Sequence, residues 1–256
     1  MSYSIWDKHS LTTRFIFSLK ESGFKNTIRR IITYLWRNIL CFTYPVSFCF
    51  LNKKKSFYFK KRRYFYCREK YNLSWRNERA IEIPIFQRLI RENSKANILE
   101  VGCVLKRYKS STKSNWTIVD KFEKFGNTLN LDIIDYNPRK KFDLILSIST
   151  IEHIGLEDGS SEKNKVTKAI NHIVTNCLSK NGKFIFSIPI GYNKYLDHKI
   201  FSKRIHLSKV YFFKKCKNND WVEVDREKVV DCEYNKYYRI GARGLLIGII
   251  DKGISK

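Results

Sequence analysis

Residues 97–108 read NILEVGCVLKRY, an apolar strand that breaks at Glu100-Val101-Gly102. Gly102 lets the backbone turn sharply against a ligand, and Glu100 can reach an amino or hydroxyl group there. In an open α/β sheet the ligand sits beyond the carboxyl ends of the strands, at the crevice where strand order reverses. The next strand ends in WTIVDK, residues 116–121, and places Asp120 twenty residues after Glu100. A carboxylate there can accept two ribose hydroxyl protons. The dinucleotide pattern G-x-G-x-x-G is absent, because Cys103, Val104, Leu105, Lys106 and Arg107 follow Gly102. A pyrophosphate needs the close backbone approach that further glycines give. The single-glycine turn therefore disfavours NAD or FAD and suits a ligand without phosphate.

Working outward, strand-like apolar runs stand at 96–101, 116–119, 142–147 and 183–188. Between the last two, Val166, Ala169, Ile170, Ile173, Val174 and Cys177 share one helical face over residues 163–178. Residues 77–91 have helix-compatible spacing around Pro84. The tail supplies strands at 210–216, 221–224 and 244–250, with a turn at 217–220. Strands alternating with helices predict a mainly parallel sheet covered on both faces, closed by a C-terminal antiparallel hairpin.

Residues 1–70 differ from residues 71–256 and are expected to form a basic extension to the main domain. The chain carries 50 Lys and Arg against 24 Asp and Glu, a net charge of +26. In the first 80 residues the balance is 18 basic to 4 acidic, a net +14. Such a field favours an anionic partner, although a Lys-rich composition alone also produces it. Ile28, Ile31, Ile32, Leu35, Trp36, Ile39 and Leu40 fall at helical spacing among Arg29, Arg30 and Arg37, which reads as a basic amphipathic helix. This helix is a candidate for peripheral contact with an anionic membrane surface, or for docking on the protein's own core. The uncharged run 38–51 contains Pro45 and is too short to span a bilayer. SFYFKKRRYFYC, residues 56–67, reads as a hairpin around Lys-Lys-Arg-Arg, with its aromatics expected against the adjoining domain. Seven cysteines without a C-x-x-C pair suggest free thiols in a reducing compartment, hence a cytoplasmic chain with no metal site. No cleavable signal peptide is expected.

The motifs together resemble a known family. EVGCVLKRY is similar to the E-x-G-x-G motif of class I S-adenosylmethionine (SAM)-dependent methyltransferases, with Val104 where the second glycine usually stands. NERAIEIPI (77–85), WTIVDKFE (116–123), LNLDIIDY (129–136), FDLILSISTIEHIG (142–155) and NGKFIFSIPIGYN (181–193) follow in the family's order. The set resembles methyltransferases of microbial glycan and cell-surface gene neighbourhoods, over about residues 64–250. The resemblance implies a Rossmann-like α/β fold with a seven-stranded sheet, and S-adenosyl-L-methionine as cofactor. It implies that Glu100 and Gly102 flank the methionine part, with Cys103 and Val104 forming the turn. Asp120 would hold the ribose hydroxyls and Lys121 the adenosine edge. Asp132 and the Ile133 amide would recognise adenine, and Ser147 and Ser149 would line the methionine side. Arg79 and Glu82 are candidates to close over the site, or ordinary helix-surface residues.

SAM is an activated donor, so positioning an acceptor in line with the sulfonium supplies much of the acceleration. A hydroxyl acceptor also benefits from a general base. Glu152 and His153 lie just past the fourth strand, and His153 is the candidate base; His198 and His206, after the fifth strand, are secondary candidates. An Asn/Asp-Pro-Pro-aromatic tetrapeptide for amino-group methylation is absent, since that place reads Ser-Ile-Ser-Thr. No Pro-Cys context suggests 5-methylcytosine chemistry. The expected acceptor is a hydroxyl on a sugar, glycan or related small metabolite. One rival is an RNA methyltransferase engaging nucleic acid through the basic N-terminal region. The other is a non-catalytic SAM-fold scaffold.

Overall fold

The computed structural model describes residues 55–108, 115–156, 164–234 and 241–254, together with residues 28, 32 and 162. The chain divides into two compact units, Met1–Lys55 and Ser56–Lys256. In the first unit Ile28 and Ile32 are helical and exposed, and the rest of the expected amphipathic helix lies outside the described residues. No helix among the described residues is long and apolar enough to cross a membrane.

The second unit opens with a hairpin, β1 (Ser56–Phe59) and β2 (Arg62–Phe65). Its turn is Lys60-Lys61 alone, both at positive φ (50° and 61°), while Arg62 and Arg63 belong to β2. A two-residue turn with left-handed residues matches the twist of the flanking strands, which explains why the loop is shorter than the four basic residues suggest. Phe57 and Phe59 are buried, with Phe59 edge-on to Tyr211 at 5.0 Å between ring centroids. Trp221 donates its amide to Tyr66 Oη at 2.8 Å. Aromatic burial thus holds the hairpin within the second unit, inside which residue 70, the expected boundary, also falls.

Helix α1 (Arg79–Glu92) contains Pro84. Proline has no N–H to give the carbonyl four residues back. That carbonyl, of Ala80, instead accepts from the Cys67 amide at 2.8 Å, so the helix continues without an orphaned acceptor.

Seven strands form the sheet: β3 (Asn97–Val101), β4 (Asn115–Val119), β5 (Phe142–Ile148), β6 (Leu178–Pro189), β7 (Lys209–Lys215), β8 (Trp221–Val224) and β9 (Gly244–Asp251). Their order is β4-β3-β5-β6-β9-β7-β8. The first four are mutually parallel; β9 enters antiparallel between β6 and β7, and β7 and β8 make the antiparallel edge hairpin. A parallel bridge, Val119 to Leu129, continues the sheet beyond β4 for a single residue pair. This is the Rossmann-like, mixed α/β arrangement expected.

The strands bury both faces with a period of two. Ile98, Leu144, Leu146, Ile148 and Ile247 pack with α1 and the hairpin. Leu99, Val101, Ile145, Phe184, Phe186 and Leu246 pack with α2 (Lys165–His172) and α3 (Lys194–Phe201). After α2 the chain widens into a π-helical turn, Ile173–Cys177, where a continuous helix to residue 178 was expected. Strand β6 starts at Leu178, with its register broken between the pairs of Phe142 and Leu144, so it is longer than the apolar run 183–188 suggests.

Candidate functional site

The chain runs outward from β3 to β4, then crosses back to β5 on the other side of β3. That reversal opens a crevice at the carboxyl ends of β3, β4 and β5. Two carboxylates organise it. Glu100, fully buried, accepts from the Val104 and Leu105 amides through Oε1 at 2.8 and 2.7 Å. Asp120 accepts from the Cys103 amide through Oδ2 at 2.9 Å, and from the Phe122 and Glu123 amides through Oδ1, both at 2.8 Å. Gly102 has φ of 93° and donates its own amide to Val119 O at 2.8 Å. Glu100, Gly102, Cys103, Val104 and Asp120 are thus one cluster. Val104 keeps a negative φ and packs partly buried against the α1 side, so the backbone there does not demand the missing glycine.

Glu100 Oε2 is buried and has no hydrogen-bond partner. Burial pushes its carboxyl up to about 8, against the pull of the Leu105 and Val104 amides. A buried polar atom left without a partner costs about 1–3 kcal/mol and usually signals a missing partner. The Thr150 side chain lies over Gly102 where any Cβ would stand.

The serines after β5 are tied to protein. Ser147, on β5, donates its hydroxyl to Val101 O on β3 at 3.1 Å and is fully buried. Ser149, at φ 38°, donates to Glu82 Oε1 at 2.5 Å, and Ser187 donates to the same oxygen at 2.6 Å. Arg79 pairs with Glu82 Oε2 at 2.9 Å and donates to Ile148 O at 3.0 Å. Burial opposes the charge on Arg79, yet Glu82 holds it firmly protonated. Glu82 is therefore no helix-surface residue: it locks α1 onto the ends of β5 and β6.

On the other side of Asp120, Lys121 and Lys165 both reach Asp132 Oδ2, at 3.1 and 2.8 Å. Burial acts to raise the Asp132 carboxyl, but the two ammonium groups and the Ile134 amide hold it below its ordinary value. Ile133 is buried in the core on the α2 side. Lys121 and Asp132 are thus brought together, with Asp132 Oδ2 occupied by protein cations.

Past β5, Glu152 is 1% exposed and neither carboxylate oxygen has a hydrogen-bond partner. Burial pushes it up to about 8, opposed by His153. His153 Nε2 lies 3.7 Å from Glu152 Oε1, and Nδ1 lies 2.9 Å from Tyr192 Oη. The His153 amide donates to Thr150 O at 3.1 Å, which sets this group one turn from the Gly102 contact. Asn193 donates to Glu152 O at 2.8 Å and caps α3 through the Leu196 amide at 3.0 Å. His198 and His206 are exposed. Tyr192, Thr150, Ser187 and Asn193 were not singled out from sequence; only Asn193, three residues ahead of an apolar helix position, carried a capping signal.

Sheet order and crevice define a doubly wound α/β domain with two carboxylates at its switch point. No protein-family model matches the chain, and no curated protein matches it. Among solved structures it is similar to the N-methyltransferase NodS of Bradyrhizobium japonicum WM9 in complex with S-adenosyl-L-homocysteine, at 13% identity and a TM-score of 0.40, over 68% of this chain and 90% of that one. It is also similar to TehB of Haemophilus influenzae, at 14% identity and a TM-score of 0.42, over 72% of this chain and 65% of that one. A DhpI–SAM–HEP complex aligns at 10% identity and a TM-score of 0.35, over 86% of this chain and 97% of that one. Likeness at this level does not assign a reaction to this chain.

Proposed function

We propose that the chain is a SAM-dependent methyltransferase acting on a hydroxyl of a sugar, glycan or related small metabolite. The observation that carries this reading is the pair of carboxylates, Glu100 and Asp120, converging on the positive-φ Gly102 turn with one buried Glu100 oxygen left over. The residues present fit the cofactor. The orphaned Glu100 oxygen could meet an ammonium or hydroxyl group, a cation there would draw the carboxyl back to its ionised form, and two acidic side chains favour a cationic ligand over a pyrophosphate. Asp120 retains acceptor capacity on Oδ2, which serves a single amide, for a ribose hydroxyl. Lys121, Asp132 and Ile133 would border the base, and Ser147 and Ser149 shape the floor by fixing β5 against β3 and α1. SAM, when bound, supplies an electrophilic methyl group. The chain's own contribution is to hold the acceptor, exclude water and take up the acceptor's proton.

The test is transfer of labelled methyl from SAM into fractionated cell extract. Label in the saccharide or small-metabolite fraction supports the reading; label confined to RNA or protein refutes the acceptor class.

A second reading, RNA methylation, is favoured by the hairpin's outer face, where Arg63 stacks over the exposed Phe65 at 5.3 Å and Tyr58 is also exposed. Basic residues interleaved with exposed rings suit single-stranded nucleic acid. RNA affinity falling steeply with salt supports this reading, and salt-independent or absent binding removes it.

A further inference from the structure

His153 faces Tyr192 Oη through Nδ1 at 2.9 Å, while Nε2 lies 3.7 Å from Glu152 Oε1, too far for a hydrogen bond. With the ring proton on Nε2 the lone pair lies on Nδ1, and an incoming hydroxyl would have to displace Tyr192 to reach it. The Glu152 side chain beside Nε2 is buried. The Tyr192 end is half-buried, and a phenol oxygen can face His153 and a second partner at once. Three further contacts fix this arrangement. Tyr234 packs edge-on against Tyr192 at 4.8 Å between centroids, Asn193 holds the Glu152 carbonyl, and Asp197 accepts the Gly191 amide at 2.8 Å. Among the described residues, the charged groups acting most strongly on Glu152 are His153, Glu82 and Arg79.

Resting on the methyltransferase reading above, we propose that Tyr192 is the catalytic residue that takes the acceptor's proton, with His153 behind it. The proton of the acceptor hydroxyl passes to Tyr192 Oη as the phenol's own proton moves to His153 Nδ1. The acceptor oxygen exchanges its O–H bond for an O–CH3 bond, and the carbon–sulfur bond of the donor breaks. The imidazolium, with Nε2–H toward Glu152, then returns its proton to solvent. The order of groups is that of an imidazole and a half-buried hydroxyl in front of it, in which the hydroxyl meets the substrate.

The test uses the full chain with tyrosine labelled at Cζ and histidine labelled at the ring nitrogens. In an NMR titration, ionisation of His153 should shift the Tyr192 Cζ signal at the same midpoint, and His153→Gln should abolish that step. A Tyr192 signal blind to His153 overturns the proposal and needs no acceptor to be seen. With labelled SAM and a saccharide extract, Tyr192→Phe should lower methyl transfer by about 100-fold or more while the affinity for SAM is unchanged. Transfer by Tyr192→Phe at the wild-type rate, with SAM bound, overturns this inference alone. Failure of the wild-type chain to bind SAM overturns the methyltransferase reading and this inference with it.

Discussion

The Asp120 carboxylate accepts the Cys103 amide at 2.9 Å, so the end of β4 holds the turn that leaves β3. Its other oxygen takes two amides of its own turn. Asp120→Ala removes three hydrogen bonds from amide donors to a charged acceptor. A loss of about 2 kcal/mol in stability is expected from a denaturant melt. On the proposed function, calorimetry should also show SAM affinity falling by about 10-fold or more, the equivalent of at least 1.4 kcal/mol. A variant that binds SAM as tightly as wild type removes Asp120 from the ribose role.

Gly102 sits at φ 93° with Thr150 against the position of a Cβ. Gly102→Ala should cost about 1–3 kcal/mol through left-handed strain, and more through the Thr150 overlap. Combining it with Thr150→Gly should recover the overlap part only. Thermal melts of the two single variants and the double variant measure the coupling; strict additivity would mean that the two residues do not meet.

Glu100 and Glu152 are both pushed up to about 8 by burial, from an ordinary value of 4.5. Between those values the folded chain keeps protons that the unfolded chain has released. Stability therefore falls as pH rises through that window, because the unfolded state binds fewer protons. Urea midpoints from pH 5 to 8 should decline, and Glu100→Gln or Glu152→Gln should each flatten the slope. A slope unchanged in both variants contradicts their buried, protonated state.

The sheet was legible because its strands are short apolar runs at regular intervals. Leu144, Leu146 and Ile148 alternate with Ile145 between two cores, and that alternation survives in the bare string of letters. The turn at Gly102 was equally legible, since a carboxylate, a glycine and a second carboxylate one strand later is a local pattern. Long-range pairing was not. Glu82 meets Ser187 across 105 residues and Ser149 across 67. Because Ile81, Ile83, Ile85 and Phe86 around it are all buried, α1 is enclosed at its front half and hides a charge that helical spacing would place outside. Tyr192 is illegible in the sequence for the same reason: its partner His153 is 39 residues away, and nothing in the run GYN advertises it. The family resemblance makes Asp132 a ligand contact, and the structure engages it with Lys121 and with Lys165 from a helix 33 residues on.

The central claim is that the Glu100–Gly102–Asp120 crevice takes SAM, and isothermal titration of the full chain with SAM tests it most directly. Saturable one-site binding is expected, with a dissociation constant in the micromolar range usual for enzyme ligands, about 1 μM to 1 mM, weakened by Asp120→Ala. Absence of binding heat up to millimolar SAM, with the chain folded, would contradict it.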